Sequence, residues 1–243
     1  GAELASGQLE AILDLGVEIV PDMATALSVD GDIKTVSTGM GDQKAKHVIL
    51  ASGARLKSLG VPGEESLFGR GVSQCADCDA GFFVDQKVVV VGGGDSALQE
   101  ALHLANYASE ITLVTRGNGL RAKQSYVTRA AENPKFTFRW ETLVSEITGS
   151  DGVEGVKLIP AGGGDAEDFA CSGVFVFVGL QPNTEFLAGS LDCDDAGFVK
   201  TDSSFATNVE GVYAVGAVRQ GYSGQLASAA GEAASVAASL PVS

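Results

Sequence analysis

Apolar positions along this chain fall into short runs separated by glycine, and the period of each run predicts its element. Leu9, Ile12, Leu13 and Leu15 recur at helical spacing, so Leu4–Leu15 is predicted as a helix closed by Gly16. Val17–Val20, Ala24–Val29, Ile33–Thr38 and His47–Ala51 are predicted as strands, with turns at Asp30-Gly31 and Gly39–Asp42. Gly60–Gly71 is a loop. Lys87–Val91 is a continuous apolar run, the pattern of a strand buried on both faces. Gly92-Gly93-Gly94 leads it into a predicted helix over Asp95–Tyr107, and Ile111–Thr115 forms the next strand, which completes a βαβ unit. A helix at about Gln124–Ala131 follows, then three strands of a predicted meander: Phe136–Trp140, Val144–Thr148 and Gly155–Ile159. Val174–Val178 and Val212–Val215 are further buried strands, and Gly224–Leu240 is an Ala-rich helix.

Composition narrows the class. The 243 residues are 45% hydrophobic and 19% charged, which is globular, and they are long enough for one large domain or two modest ones. A net charge of −15 without any Lys/Arg cluster excludes nucleic acid as a partner. The apolar runs are too short to span a bilayer. Four cysteines do not make a secreted disulfide framework. The 32 glycines are about twice the usual share, and they point to tight turns and close backbone approach.

The first candidate site is the turn Gly92-x-Gly94-x-x-Ala97. In a dinucleotide site the first glycine permits the turn and the second lets the backbone approach a pyrophosphate. The small third residue lets helix and strand pack. Asp95, Ser96 and Ala97 open the helix, and its N-terminus would face the phosphates. The position directly after a strand supports this reading over a ligand-free glycine turn. The next strand ends in Thr115-Arg116, with Arg121 close behind. Arginine suits a 2′-phosphate, so NADPH is expected ahead of NADH, and two solvated surface arginines are the alternative.

The second candidate is Cys75-Ala76-Asp77-Cys78, followed by Asp79. This spacing suits a redox-active dithiol, with the carboxylate moving a proton during exchange. Half a zinc site and two ordinary buried thiols are the alternatives. No second pair accompanies it, since Cys171, Cys193, His47 and His103 are scattered.

Together these motifs resemble a family. The segment Gly71–Asp79, the run Val89–Ala97, Thr115-Arg116 with Arg121, Leu50–Ala54 with Val61-Pro62-Gly63, Val178–Thr184, and Gly211–Val218 with Gly224-Gln225-Leu226 resemble the low-molecular-weight thioredoxin reductases, over essentially the whole chain. The resemblance implies an α/β fold of two interleaved Rossmann-like domains, in the three-layer ββα form. Residues 1–55 and 179–243 would form the FAD domain and 56–178 the NAD(P)H and dithiol domain, with hinges near Ala54–Lys57 and Gly179–Gln181. It further implies that FAD and NADPH serve the reduction of a thioredoxin-like protein or small disulfide, in a cytoplasmic homodimer. Cys78 would face the flavin, Cys75 would attack the substrate, and Asp79 would give and take the proton. Ala51, Ser52, Gly53, Gly216, Ala217, Gly224, Gln225 and Leu226 would line the flavin.

Three departures stand out. The chain begins at Gly1, after the strand–GxGxxG–helix unit with which the family opens, which implies an N-terminally truncated FAD domain. Ala217 stands where the family has an Asp. Gly117 stands where the family has a second Arg. A flavin-deficient nucleotide-binding or partner subunit, and a dithiol oxidase of the same fold, are the alternative functions.

Overall fold

The computed structural model describes residues 2–240. In chain order the elements begin with α1 (Ala2–Asp14), β1 (Ala24–Asp30), β2 (Ile33–Thr38), β3 (Gly41–Ala45), β4 (Val48–Leu50) and β5 (Ala54–Leu56). Next come β6 (Val72–Ser73), α2 (Ala76–Asp79), β7 (Lys87–Val91), α3 (Asp95–Leu104), β8 (Glu110–Val114), α4 (Gln124–Ala131) and β9 (Phe136–Arg139). The series closes with β10 (Thr142–Thr148), β11 (Gly155–Pro160), β12 (Glu167–Ala170), β13 (Gly173–Val176), β14 (Leu180–Pro182), β15 (Val212–Ala214) and α5 (Leu226–Ser239). They form two compact units. One runs up to Ala54 and resumes at Pro182; the other is Arg55–Gln181.

The Arg55–Gln181 unit is built on a parallel sheet ordered β6-β13-β7-β8-β9. Its central strands β7 and β13 are apolar on both faces because both faces are covered. Val88 and Val90 of β7 point into a core with Leu98 and Ala101 of α3 and Ala130 of α4. Val89 and Val91 point the other way, against Val144 and Ile147 of β10 and Val156 and Leu158 of β11. Helices, parallel sheet and the antiparallel sheet β10-β11-β12 are therefore three layers. Each fully buried valine contributes about 2 kcal/mol of apolar transfer, so the alternation along β7 holds both interfaces at once.

The other unit has an antiparallel sheet β1-β2-β3 and a parallel pair, β4 with β15. Its core gathers Leu27, Leu50, Leu187, Val212, Ala214 and Val218.

Three sequence expectations are corrected. Val17–Val20 alternates like a strand but forms no regular element; strands need a partner to satisfy their amides, and none pairs with it among the described residues. Phe136–Arg139 does not join an antiparallel meander. It pairs in parallel with β8, in the register Ile111 to Phe136. Gly39–Asp42 was expected as turn alone, yet Gly41–Ala45 runs on as β3 beside β2, although every residue of it is exposed.

Candidate functional site

Ser73 ends β6, and the chain turns at Cys75 into the four-residue helix α2. Cys75 is the N-cap, with extended backbone at φ −144°, and its sulfur accepts the Cys78 N–H at 3.2 Å. Cys75 and Cys78 are joined as a disulfide with their Cα atoms 5.3 Å apart. Cys78 is exposed and Cys75 half-buried. Asp79 ends the same turn, its N–H bonded to the Cys75 carbonyl at 3.2 Å. The sequence placed these three residues together, and so does the structure. Two partners escaped the sequence reading. Ser73 donates its hydroxyl to Asp79 Oδ2 at 2.6 Å, and Glu100 of α3 accepts the Ala76 N–H at 2.8 Å. Ser73 lies inside the Gly71–Asp79 segment, but its spacing there assigns it no role, and Glu100 reaches the turn only through the packing of α3.

The remaining thiols lie elsewhere. Burial pushes the Cys171 thiol up to about 12, and burial with the carboxylates of Asp194 and Asp192 raises Cys193. A thiol held protonated is a poor nucleophile.

The glycine turn crosses from β7 to α3. Gly92 has φ +138°, and a Cβ there would meet the Phe177 carbonyl oxygen at 2.2 Å and Ala97 Cβ at 3.1 Å. Only glycine lets β7 come so close to the residue following β13. Gly94 is the N-cap of α3, with no side-chain cap, and a Cβ there would meet nothing within 4 Å. The first backbone N–H groups of α3 thus have no side-chain cap, and no side chain stands at Gly94, as a pyrophosphate cradle requires. Asp95, Ser96 and Ala97 form the first turn of α3, with Ser96 exposed and Ala97 buried. Arg116 and Arg121 are exposed on the loop after β8. That loop is strapped to the glycine turn by Arg121 N–H to Gly93 O at 2.8 Å and by Lys123 N–H to Asp95 Oδ1 at 2.7 Å. The residues present fit a dinucleotide phosphate chain with a further anionic group beside it.

In the other unit, parallel pairing of β4 with β15 brings two candidate flavin segments to the same strand ends. Ala51-Ser52-Gly53 follows β4 and Gly216-Ala217 follows β15, with Val215 N–H bonded to Leu50 O at 2.9 Å. Ser52 Oγ donates to Asn183 O at 2.9 Å, and Asn183 Nδ2 donates to Ser52 O at 2.8 Å. Gly224-Gln225-Leu226 leads into α5, whose N-cap Gln225 makes no side-chain cap. Glu232 of α5 reaches back to accept the Gly216 N–H at 2.7 Å and pairs with Arg219, whose guanidinium holds its carboxyl below the usual range. Glycine turn, strand ends and open helix start fit one side of a flavin nucleotide. Ala217 adds no polar group there.

Among the described residues no helix is long and apolar enough to cross a membrane. The family described as pyridine nucleotide-disulphide oxidoreductase matches residues 6–234. Over 225 residues the chain is 40% identical to a thioredoxin reductase of Peptoclostridium acidaminophilum, covering 90% of this chain and 71% of that protein. A thioredoxin reductase of Bacillus subtilis is 36% identical over 241 residues, covering 99% and 72%. The solved structure of Lactococcus lactis thioredoxin reductase (FR conformation) superposes with a TM-score of 0.85 at 37% identity, covering 98% of this chain and 78% of that one. That of T. acidophilum thioredoxin reductase superposes with 0.82 at 32%, covering 99% and 79%.

Proposed function

The chain belongs to the thioredoxin reductase family of the pyridine nucleotide-disulphide oxidoreductases, and from that premise we propose that Cys75, Cys78 and Asp79 carry its chemistry. The activity is FAD- and NADPH-dependent reduction of a disulfide. When bound, NADPH and FAD supply the electron pair that opens the Cys75–Cys78 bond. The observation that carries the assignment is that disulfide at the start of α2, with Cys78 exposed and Asp79 one residue on.

Two electrons and two protons convert Cys75–Cys78 to the dithiol. Cys78 receives the electrons, and Asp79 holds the proton that the leaving sulfur takes up. Asp79 takes back the Cys75 thiol proton; the thiolate attacks the substrate disulfide, forming a mixed disulfide and expelling one substrate sulfur, which leaves as a thiol with that proton. Cys78 resolves it, restoring the Cys75–Cys78 bond and releasing the second. Gly92, Gly94, Asp95, Ser96 and Ala97 hold the dinucleotide phosphates, and Arg116 and Arg121 take the 2′-phosphate, which selects NADPH over NADH. Ala51, Ser52, Gly53, Gly216, Ala217, Gly224, Gln225 and Leu226 line the flavin. The stretches 1–55 and 179–243 are the flavin part and 56–178 the NADPH and dithiol part.

A thioredoxin-like protein is the substrate we favour, since the relatives that match most of this chain are thioredoxin reductases. The enzyme is a homodimer of the cytoplasm, where exchangeable dithiols are kept reduced. Ala217 favours one second reading, a flavin-deficient partner subunit of the same fold.

The test is the visible spectrum of the purified chain with added FAD, followed by NADPH-driven reduction of thioredoxin. A flavin spectrum, and activity lost in Cys75→Ser and in Cys78→Ser with NADPH binding kept, is the expected result. A colourless chain that FAD cannot reconstitute removes the reductase reading in favour of the second. Undiminished turnover in either variant removes the dithiol from the mechanism.

A further inference from the structure

Ser73 lies two residues before the first cysteine, and at 3% exposure it is one of few polar side chains in the core. A hydroxyl buried so deeply persists where its hydrogen bonds are made. Its Oγ accepts the Cys75 N–H at 3.0 Å and lies 2.6 Å from Asp79 Oδ2. The Cys75 carbonyl is farther away, at 3.3 Å. A hydroxyl has one proton to give. The shorter contact, to a carboxyl oxygen of Asp79, takes it, since 2.6 Å is at the short end of the O–H···O range. One side chain therefore joins the first amide of the redox turn to the carboxylate at its end. Asp79 is half-buried and could otherwise rotate about its side-chain torsions. The turn has a second anchor in the Ala76–Glu100 bond, which holds its backbone without touching Asp79.

We infer that Ser73 is a positioning residue that holds the Asp79 carboxylate toward the Cys75–Cys78 bond. This rests on the proposed proton-transfer role of Asp79. Ser73 itself exchanges no proton with substrate. It keeps one carboxylate oxygen engaged, so that the other is presented to the sulfurs rather than to solvent. The redox turn is thereby fixed at both ends by a single hydroxyl.

The test needs no flavin. Dithiothreitol attacks the Cys75–Cys78 disulfide through one thiolate, and the departing protein sulfur takes a proton. The second dithiothreitol thiol then closes the ring and frees the other cysteine. The rate is followed from pH 6 to pH 9 by acid quench, alkylation and mass measurement. Folding is checked by circular dichroism.

Ser73→Ala should slow the reaction by roughly threefold to tenfold, a fraction of what general acid–base groups contribute, and most at low pH. Ser73→Thr, which retains the hydroxyl, should restore the rate and the shape of the pH profile. Asp79→Asn should slow it at least as much as Ser73→Ala, and adding Ser73→Ala to Asp79→Asn should change nothing further. The positioning role is overturned if Ser73→Ala matches the wild type, if Ser73→Thr is as slow as Ser73→Ala, or if Ser73→Ala slows Asp79→Asn by the same factor as the wild type. If Asp79→Asn alone has the wild-type rate throughout, the role of Asp79 fails, and the inference fails with it. Should Ser73→Ala not fold, Ser73→Thr and Asp79→Asn still decide: a slow, folded Ser73→Thr overturns the inference, and a wild-type rate in that variant beside a slow Asp79→Asn sustains it.

Discussion

Replacing Glu232 tests whether a single buried carboxylate holds the glycine turn that follows β15. Glu232 is 6% exposed. Its oxygens accept the Gly216 N–H at 2.7 Å, Arg219 Nε–H at 2.9 Å, a second guanidinium N–H, and Ser228 Oγ–H at 3.2 Å. Glu232→Ala leaves the Arg219 charge without its counter-ion in a largely buried position, and leaves the Gly216 amide unpaired. Breaking a buried pair from one side costs about 3–5 kcal/mol, of which an orphaned amide is about 1–3. A domain has only about 5–15 kcal/mol in hand, so the loss should be visible at once in urea unfolding followed by circular dichroism at pH 7. Acid should reveal the same carboxylate. The hydrogen bonds from Arg219, more than any other influence, hold Glu232 below its ordinary 4.5. A carboxyl depressed on folding stabilises the fold fully above that ordinary value, and the gain is lost as pH falls from there to the lowered one. Wild-type stability should therefore drop below about pH 4.5, and Glu232→Gln should lack that part of the drop. Costs under about 1 kcal/mol for both variants at pH 7, or an acid profile of Glu232→Gln parallel to the wild type, would refute the reasoning. A double change of Glu232→Leu with Arg219→Met should be milder than either charge deletion alone.

Three further outcomes follow from the geometry. Gly92→Ala puts a Cβ 2.2 Å from the Phe177 carbonyl at φ +138°; it should cost about 1–3 kcal/mol in backbone strain alone and weaken NADPH binding at least about tenfold by calorimetric titration, whereas Gly94→Ala, which meets nothing, should melt like the wild type. Arg116→Ala with Arg121→Ala should weaken NADPH about tenfold or more and leave NADH unchanged, so that the two cofactors bind alike; an unaltered NADPH to NADH ratio removes these arginines from cofactor selection. With its thiol pushed up to about 12 by burial, Cys171 should resist iodoacetamide at pH 8 in the folded protein and react once it is denatured; peptide mass mapping reads both.

The parts legible from sequence are those in which the pattern and the physics are local. Lys87–Val91 was readable because a strand covered on both faces must be apolar throughout, and Ile33–Thr38 and Gln124–Ala131 have the bounds that their patterns indicate. The dithiol and the Gly92–Gly94 turn were visible because their chemistry demands a fixed spacing. What failed depended on neighbours. Val17 is 52% exposed in irregular chain, since alternation makes a strand only beside another strand. Gly41–Ala45 carries no apolar pattern and forms β3 through backbone pairing with β2. The two phenylalanines of β9 alternate equally well for parallel and antiparallel partners, and only the three-dimensional register shows which. Ser73 stood inside the Gly71–Asp79 segment with nothing to mark its role, and Glu232 lay outside every motif, because what each bonds is set by the folded chain.

The paired strands β5 and β14 carry a consequence for the order in which the chain folds. Arg55–Gln181 is contiguous, so it can find its contacts without waiting for any other segment. The remaining unit is split by it, and its halves must meet across the whole intervening stretch. Closing a flexible loop of that size costs roughly 4 kcal/mol in chain entropy. Once Ala54–Leu56 and Leu180–Pro182 lie side by side, that cost is removed, and β4 meets β15 as though across a short turn. Damage to the β7–β8 core should therefore delay assembly of the Leu27, Leu50 and Val212 core as well, while damage to the latter should leave the inserted stretch to fold at its own rate.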